Sequence, residues 1–102
     1  MPHIDWTDEA FDDLERRYQH LEPHSVNSAI RAIGSIEAAV EQLRIYPQLG
    51  RAITNRRESR QLTVRFGKGA YLVHYLVHYR FAHDELLILA IRYSRDETPE
   101  NL

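Results

Sequence analysis

Arginines, tyrosines and histidines are the side chains of this 102-residue chain whose types and spacing could do chemistry. Six arginines and the single lysine, Lys68, lie between residues 51 and 80 with one acid, Glu58, so this segment has a formal charge of +6. Residues 1–49 contain four arginines and nine acids, a balance of −5. This separation predicts one basic and one acidic surface, and the basic surface would attract a polyanion or an acidic protein.

Cleavage of RNA without a metal needs a base for the 2′-hydroxyl, cations for the phosphate charge and an acid for the leaving oxygen. Lys68 lies between two glycines in a predicted turn, which is a poor position for a base. Arginine stabilises charge, but its pKa above about 12 makes it a poor base. Glu58 lies among arginines and is more simply their ion-pair partner. The residues therefore favour binding of charge over catalysis.

The six histidines do not have the spacing of a metal site. His74 and His78 share a face of a predicted strand, but four residues separate them by roughly 13 Å, whereas ligands of one ion lie about 2 Å from it. The other histidines show no ligand spacing; they are His3, His20, His24 and His83. The chain has no cysteine, which excludes disulfides and Cys-type zinc sites. We expect no metal and no cofactor.

The elements that would position these residues follow from the apolar periodicity. A strand over 2–6 is followed by two helices, over 8–22 and from Ser25 to about Tyr46, where Pro47 ends the second helix. Residues 47–59 are polar and are predicted to form a loop. A period of two then predicts three strands, at 61–66, 70–81 and 85–93, joined by turns. The pattern predicts an α+β fold of order β-α-α-β-β-β, with an antiparallel helical hairpin packed on a small antiparallel sheet.

Two further expectations concern the faces of these elements and the extent of the domain. Tyr71, Tyr75 and Tyr79 share one face of the long strand and could stack on RNA bases, but their alternation with valines favours core packing. The chain length fits one domain over 1–102, with residues 95–102 forming a frayed tail. No signal peptide or membrane span is recognisable, which favours a cytoplasmic protein.

A series of short motifs runs through nearly the whole chain. They are Trp6-Thr7, Ala10, Leu14, Leu43, Pro47, Gly50-Arg51, Arg60-Gln61-Leu62, Gly69 to Tyr75, and Ile88 to Arg95. Each motif is weak alone. In this order, on a strand–helix–helix–meander pattern, they resemble the RelE/ParE superfamily of bacterial toxins, and its ParE branch in particular.

This resemblance implies a cytoplasmic bacterial toxin that is held inactive by a cognate antitoxin, whose C-terminal segment wraps around it. RelE-like members cut mRNA at the ribosome, whereas ParE-like members act on DNA gyrase. The chain has no helix-turn-helix or ribbon of its own, so operator DNA would be bound only through the antitoxin.

The resemblance also points to site residues near the C-terminal strand. Arg92, Tyr93 and Arg95 stand where the family carries functional residues, and Tyr93 replaces a histidine that is common there. Together with the basic segment they form the predicted surface for the antitoxin or target: Arg51, Arg56, Arg57, Arg60, Arg65, Arg80, Arg92, Tyr93 and Arg95. The alternative interpretation is structural: Tyr93 closes the sheet, and arginines such as Arg60 pair with neighbouring acids or with acids of the first helix.

The scarcity of lysine and the presence of Tyr93 favour a ParE-like gyrase poison without enzymatic activity. The first alternative is a RelE-like mRNA interferase, in which catalysis would depend on Arg60, Arg92, Tyr93 and Arg95. A second alternative is a toxin homologue that has lost its activity and remains only as a binding module for its antitoxin.

Overall fold

Two helices cover one face of a five-stranded sheet in the computed structural model, which describes residues 3–53, 56–79 and 84–94. In chain order the elements are β1 (His3–Trp6), α1 (Asp8–Leu21), α2 (Val26–Gln42), β2 (Arg51–Ile53), β3 (Arg56–Phe66), β4 (Gly69–Tyr79) and β5 (Asp84–Tyr93). The side chains of Arg56, Arg57, Tyr79 and Asp84 are outside the description. So are residues 80–83 and 95–102, where a turn and a frayed tail were predicted.

The strand order is β1-β5-β4-β3-β2. The predicted α+β class and the order strand, two helices, meander are confirmed. The sheet is antiparallel except at one edge, where β1 pairs in parallel with β5. A parallel pair needs a long crossover connection, and the two helices are part of the chain that joins β1 to the meander.

Both helices begin at a hydroxyl side chain that caps the first turn. The Thr7 and Ser25 side chains accept hydrogen bonds from the backbone N–H groups of Ala10 and Ser28, each at 3.1 Å. Neither helix is long and apolar enough to span a membrane. The predicted end of the second helix near Tyr46 is wrong: α2 ends at Gln42, and the backbone tightens into bonds three residues apart, such as that from the Leu43 N–H to the Val40 carbonyl (2.9 Å).

The prediction of a loop over 47–59 is also wrong in part. Residues 51–53 form the edge strand β2, and β3 begins at Arg56 rather than at residue 61. Arg51 and Ala52 are exposed, and the pairing with β3 shifts register between Ala52 and Ile53. Because no face of this edge pair is continuously buried, the sequence shows no alternation there.

The core lies between β4 and the helices. Tyr71, Val73, Tyr75 and Val77 of β4 are at most 1% exposed, which confirms core packing for the two described tyrosine side chains. On α2 the buried stripe runs through Ala29, Ala32, Ile36, Val40 and Leu43. Val26 and Ile30 lie outside this stripe and are 49% and 56% exposed, because the small alanines form the inward side of the first turns.

A β-bulge at Leu89 changes which side chains of β5 face the helices. His74 lies opposite Ala90 and Tyr75 opposite Ile88, so Leu89 is an extra residue in β5. Leu86 and Ile88 are buried before the bulge, and Ile91 is buried after it. Residues 86–91 are all apolar, and the bulge shifts by one residue which of their side chains face the helices.

Thr7 is the residue that holds this bulge. Its backbone N–H and its hydroxyl both point to the Ile88 carbonyl, at 3.1 and 2.9 Å, and the hydroxyl also lies 3.3 Å from the Leu89 carbonyl. The same hydroxyl oxygen caps α1. One side chain therefore ends β1, starts α1 and fixes the phase of β5.

Replacing Thr7 by alanine should lower the free energy of unfolding by about 1–2 kcal/mol, because the cap and the bonds to β5 are lost together. Thr7→Ser retains the hydroxyl and should remain close to the parent protein. Urea denaturation followed by circular dichroism measures both variants. An equal loss in the two would show that the methyl group, rather than the hydroxyl, is what matters.

Candidate functional site

The loop between α2 and β2 is held by two side chains that come from the sheet. The Tyr75 hydroxyl accepts a hydrogen bond from the Gly50 N–H and donates one to the Pro47 carbonyl, both at 2.9 Å. Arg60 Nη1 donates to the carbonyl oxygens of Gly50 (2.6 Å) and Gln48 (3.3 Å). The Pro47-x-x-Gly50-Arg51 motif is thus fastened to β3 and β4.

Arg60 therefore stabilises the fold, although the sequence predicts that it binds the antitoxin, the target or RNA. It lies on the helix side of the sheet, opposite Tyr75 in register. Its described contacts are to backbone carbonyls and not to the neighbouring acid that the structural interpretation proposed. A residue engaged in this way orders the loop that precedes β2.

Three other predicted arginines lie together on the sheet face that no described helix covers, which we call the open sheet face. Arg51, Arg65 and Arg92 are exposed, and their partners in register are Gln61, Ala70 and Leu72 respectively. Cross-strand partners point to the same side, and these three lie on the side away from Tyr71, Val73 and Tyr75. The open sheet face is therefore basic at its margins.

Its centre is less polar. Leu72, Leu76 and Leu87 are half-buried there, and His74 is within 2.9 Å of the Gln61 side-chain oxygen. In the described part of the chain, no three His, Asp or Glu side chains group as metal ligands. Of the other predicted partner residues, Arg80 and Arg95 lie outside the described residues, as do the side chains of Arg56 and Arg57.

A second surface lies at the β3 edge of the sheet, and we call it the edge groove. β2 pairs with β3 only as far as Gln61, so residues 62–66, which pair with β4 on one side, have no described strand on the other side. The groove here has a volume of about 430 Å³, and its walls include Ala39 and Gln42 of α2, Leu49 of the loop, and Leu62 and Val64 of β3. Apolar side chains continue outward from it: Ile45, Tyr46 and Leu49 are 64%, 63% and 47% exposed.

A third surface, the arginine cleft, opens between α1 and the C-terminal half of β5. It has a volume of about 460 Å³ and is lined by Asp13, Arg16, Arg17 and His20 of α1, with Tyr71, Ile91, Arg92 and Tyr93 of the sheet. The Tyr71 and Tyr93 rings pack with their centres 4.9 Å apart. The Arg17 guanidinium carbon lies 4.6 Å from the centre of the Tyr93 ring, within the range of a cation–π contact.

Asp13 organises the floor of this cleft. One carboxylate oxygen accepts a hydrogen bond from the Ile91 N–H at 2.8 Å, and the other lies 2.6 Å from Arg16. Since β1 pairs with β5 only as far as Ile88, Asp13 satisfies a strand N–H that would otherwise be unpaired. No local sequence pattern signals the Asp13–Ile91 contact, because it joins residues 78 positions apart.

Among the described residues predicted for RNA cleavage, Arg60 is separated from the others. Arg60 and Tyr93 both face the helices, but they pair with Tyr75 and Tyr71, which are four residues or roughly 13 Å apart along β4. Arg92 and Tyr93 are neighbours in β5 on opposite faces of the sheet, although both contribute to the lining of the arginine cleft. Arg95 is outside the described residues. Tyr93 lies opposite Tyr71 in register, and its ring packs on the Tyr71 ring, which is in keeping with the structural interpretation.

With this geometry the chain can be compared with known proteins. The family model described as the ParE toxin of type II toxin–antitoxin systems (parDE) matches residues 4–98. The chain belongs to the ParE toxin family. A solved chain described as the chromosomal ParDE toxin–antitoxin system from P. aeruginosa has the same fold, with a TM-score of 0.72 and 23% sequence identity over 91% of this chain and 96% of that one. No curated protein sequence matches this chain.

The family motifs divide by role in this ParE-family chain. Thr7, Gly50, Arg60 and Tyr75 make contacts that hold the fold, and this accounts for their place in the pattern. The surfaces that a partner can reach combine motif residues, such as Arg51 and Arg92, with residues outside the motifs. Arg16, Arg17 and His20 of the arginine cleft and Leu49 of the edge groove were not singled out by the sequence analysis.

Gly50 provides a test of the loop attachment. A Cβ at this position would lie 2.7 Å from the Gln61 carbonyl oxygen and 2.9 Å from the Tyr75 hydroxyl. Gly50→Ala should therefore lower the free energy of unfolding by about 1–3 kcal/mol. Gly34→Ala is the matched control, because a Cβ there meets nothing within 4 Å, and it should raise stability by roughly 0.5–1 kcal/mol as a glycine replaced within a helix. Opposite shifts of the urea midpoint are expected, and a neutral Gly50→Ala would contradict the close approach.

Proposed function

We propose that this ParE-family chain inhibits bacterial growth by poisoning DNA gyrase in the cytoplasm and is neutralised by a cognate antitoxin. The match of the ParE family model over residues 4–98 carries the proposal. The geometry supports a binding mechanism without catalysis, because Arg60 and Tyr93, two of the residues that the sequence offers for RNA cleavage, lie roughly 13 Å apart along the sheet. Lys68, the remaining candidate base, is exposed in the turn between β3 and β4.

The open sheet face is our candidate surface for the target. Arg51, Arg65 and Arg92 place three permanent cations around a partly apolar centre, and this combination suits recognition of a protein–DNA complex by charge and contact together. The helix side of the sheet is filled by core residues and is not available for this role.

One observation favours a second candidate, the mRNA interferase. The arginine cleft brings His20 to the same cavity as Arg92 and Tyr93. Histidine is the side chain best suited to proton transfer near neutral pH. It would supply the acid or base that sequence reasoning did not find near the C-terminal strand.

Induction of the toxin without its antitoxin separates the two candidates. A gyrase poison should produce filamentous cells and a DNA-damage response while protein synthesis continues. The measurement follows a damage-response reporter, labelled amino-acid incorporation and full-length mRNA over the first minutes. Loss of intact mRNA before any damage signal would overturn the gyrase proposal and support the interferase. Arg51→Ala/Arg65→Ala/Arg92→Ala should weaken the damage response, whereas Arg31→Ala, on the exposed side of α2, should not.

The edge groove is our candidate surface for the antitoxin. An extended segment can hydrogen-bond to the open edge of β3 at residues 62–66 and place alternate apolar side chains against Leu49, Leu62 and the α2 wall. Acidic side chains of the same segment would meet Arg51 and Arg65 nearby. Operator DNA would be bound through the antitoxin, in keeping with the lack of a DNA-reading element in the described structure.

Leu49→Glu should weaken binding of the antitoxin at least tenfold, about 1.4 kcal/mol, because a charge would be buried against the apolar wall of the groove. Ile30→Glu is the matched control: it changes an equally exposed apolar residue near the start of α2, outside the groove lining. Calorimetric titration with the antitoxin's C-terminal segment measures both. Equal affinities for the two variants would place the antitoxin elsewhere.

A further inference from the structure

We propose that the arginine cleft binds single-stranded nucleic acid, with its arginines on a phosphate and the Arg17–Tyr93 stack against a base. The site lies on the α1 side of the molecule and is separate from the edge groove on the β3 side. It does not depend on gyrase as the target, so either idea can fail without the other.

Charge is the first argument. Arg16 and Arg17 outnumber the single aspartate of the cleft, and Arg92 adds a third cation at the sheet edge, so the lining is positively charged although the whole chain has a net charge of −2. The helix sequence produces this contrast: the first turn of α1 holds Asp8 and Glu9, and Arg16, Arg17 and His20 follow in its later turns. Cations near the C-terminal end of a helix are favoured by the helix dipole. The cleft therefore attracts anions, although the protein as a whole is acidic.

The aromatic wall is the second argument. Arg17 lies over Tyr93 at 4.6 Å and within 5.8 Å of the Tyr71 ring, so its planar guanidinium is held against a packed pair of rings. Unstacked bases bind to aromatic rings and to arginine planes of this kind. A cleft of about 460 Å³ is large enough for a nucleotide. Phosphate and base can both be accommodated.

The backbone of β5 argues against an extended peptide in the same place. Strand addition requires free N–H and C=O groups along an edge. At this edge the Ile91 N–H is already bonded to Asp13, and the Ile88 carbonyl is bonded to Thr7. Groups that an added strand would need are thus already used at the start of this edge, and the cleft presents side-chain cations, which suits a polyphosphate chain better than a protein strand.

The test is fluorescence anisotropy of labelled ten-nucleotide single strands, one of DNA and one of RNA, titrated with the full chain at low salt. Arg16→Ala/Arg17→Ala should weaken binding about tenfold, and the slope of log affinity against log salt should fall by roughly 0.7 for the phosphate contact that is lost with Arg16 on a single strand. Tighter binding of the DNA or of the RNA identifies which nucleic acid the cleft prefers, and binding of either one supports the site.

Arg31→Ala/Arg44→Ala is the matched control, because it also removes two arginines. Arg31 lies within α2, and Arg44 lies just after the end of α2. Arg44 is paired with Glu41 three residues away at 2.7 Å, as Arg16 is with Asp13 at 2.6 Å. The single variants Arg16→Ala and Arg44→Ala repeat the comparison without disturbing the Arg17–Tyr93 contact. No binding of either strand by the parent chain, or an equal loss in the cleft and control variants, overturns the proposal.

Discussion

The Thr7 hydroxyl is the contact on which most of the architecture depends. It caps α1 and lies against the carbonyls of Ile88 and Leu89 at the β-bulge of β5. Without the extra residue at Leu89, the alternation of β5 would send Arg92 toward the helices and Tyr93 to the open sheet face. One hydrogen-bonded side chain thus decides which functional groups each side of the sheet presents.

The sheet separates the arginines of the basic segment between its two faces. Arg60 lies on the helix side and holds the loop at Gly50, whereas Arg51 and Arg65 lie on the open sheet face. Strand alternation alone separates them, because neighbouring positions in a strand face opposite ways. The net charge of residues 51–80 does not show which arginines lie on the helix side and which lie on the open sheet face.

The two helices and the three main strands could be predicted because each buries a continuous stripe or face. β2 and the first half of β3 could not, since Arg51 and Ala52 remain exposed and their pairing depends on the Arg60 and Tyr75 contacts with the loop. The bulge was hidden because residues around Leu89 are apolar on both faces.

The site was predictable only in part, for a similar reason. Arg92 and Tyr93 were found from the family pattern, but their surroundings come from α1. Asp13 reaches the Ile91 N–H across 78 positions of sequence, and no local pattern reports such a contact. The cleft and the groove exist only after the helices have packed.

The open edge of β3 also affects how the free protein behaves in a crowded cell. An unpaired strand edge beside exposed Leu49 and Tyr46 is a template for any extended chain, including unfolded copies of the same protein. If the antitoxin covers this edge, as we propose, it would protect the toxin from aggregation as well as restraining it. Loss of the antitoxin would then release the toxin and expose the edge at the same time, so that aggregation would limit the released activity.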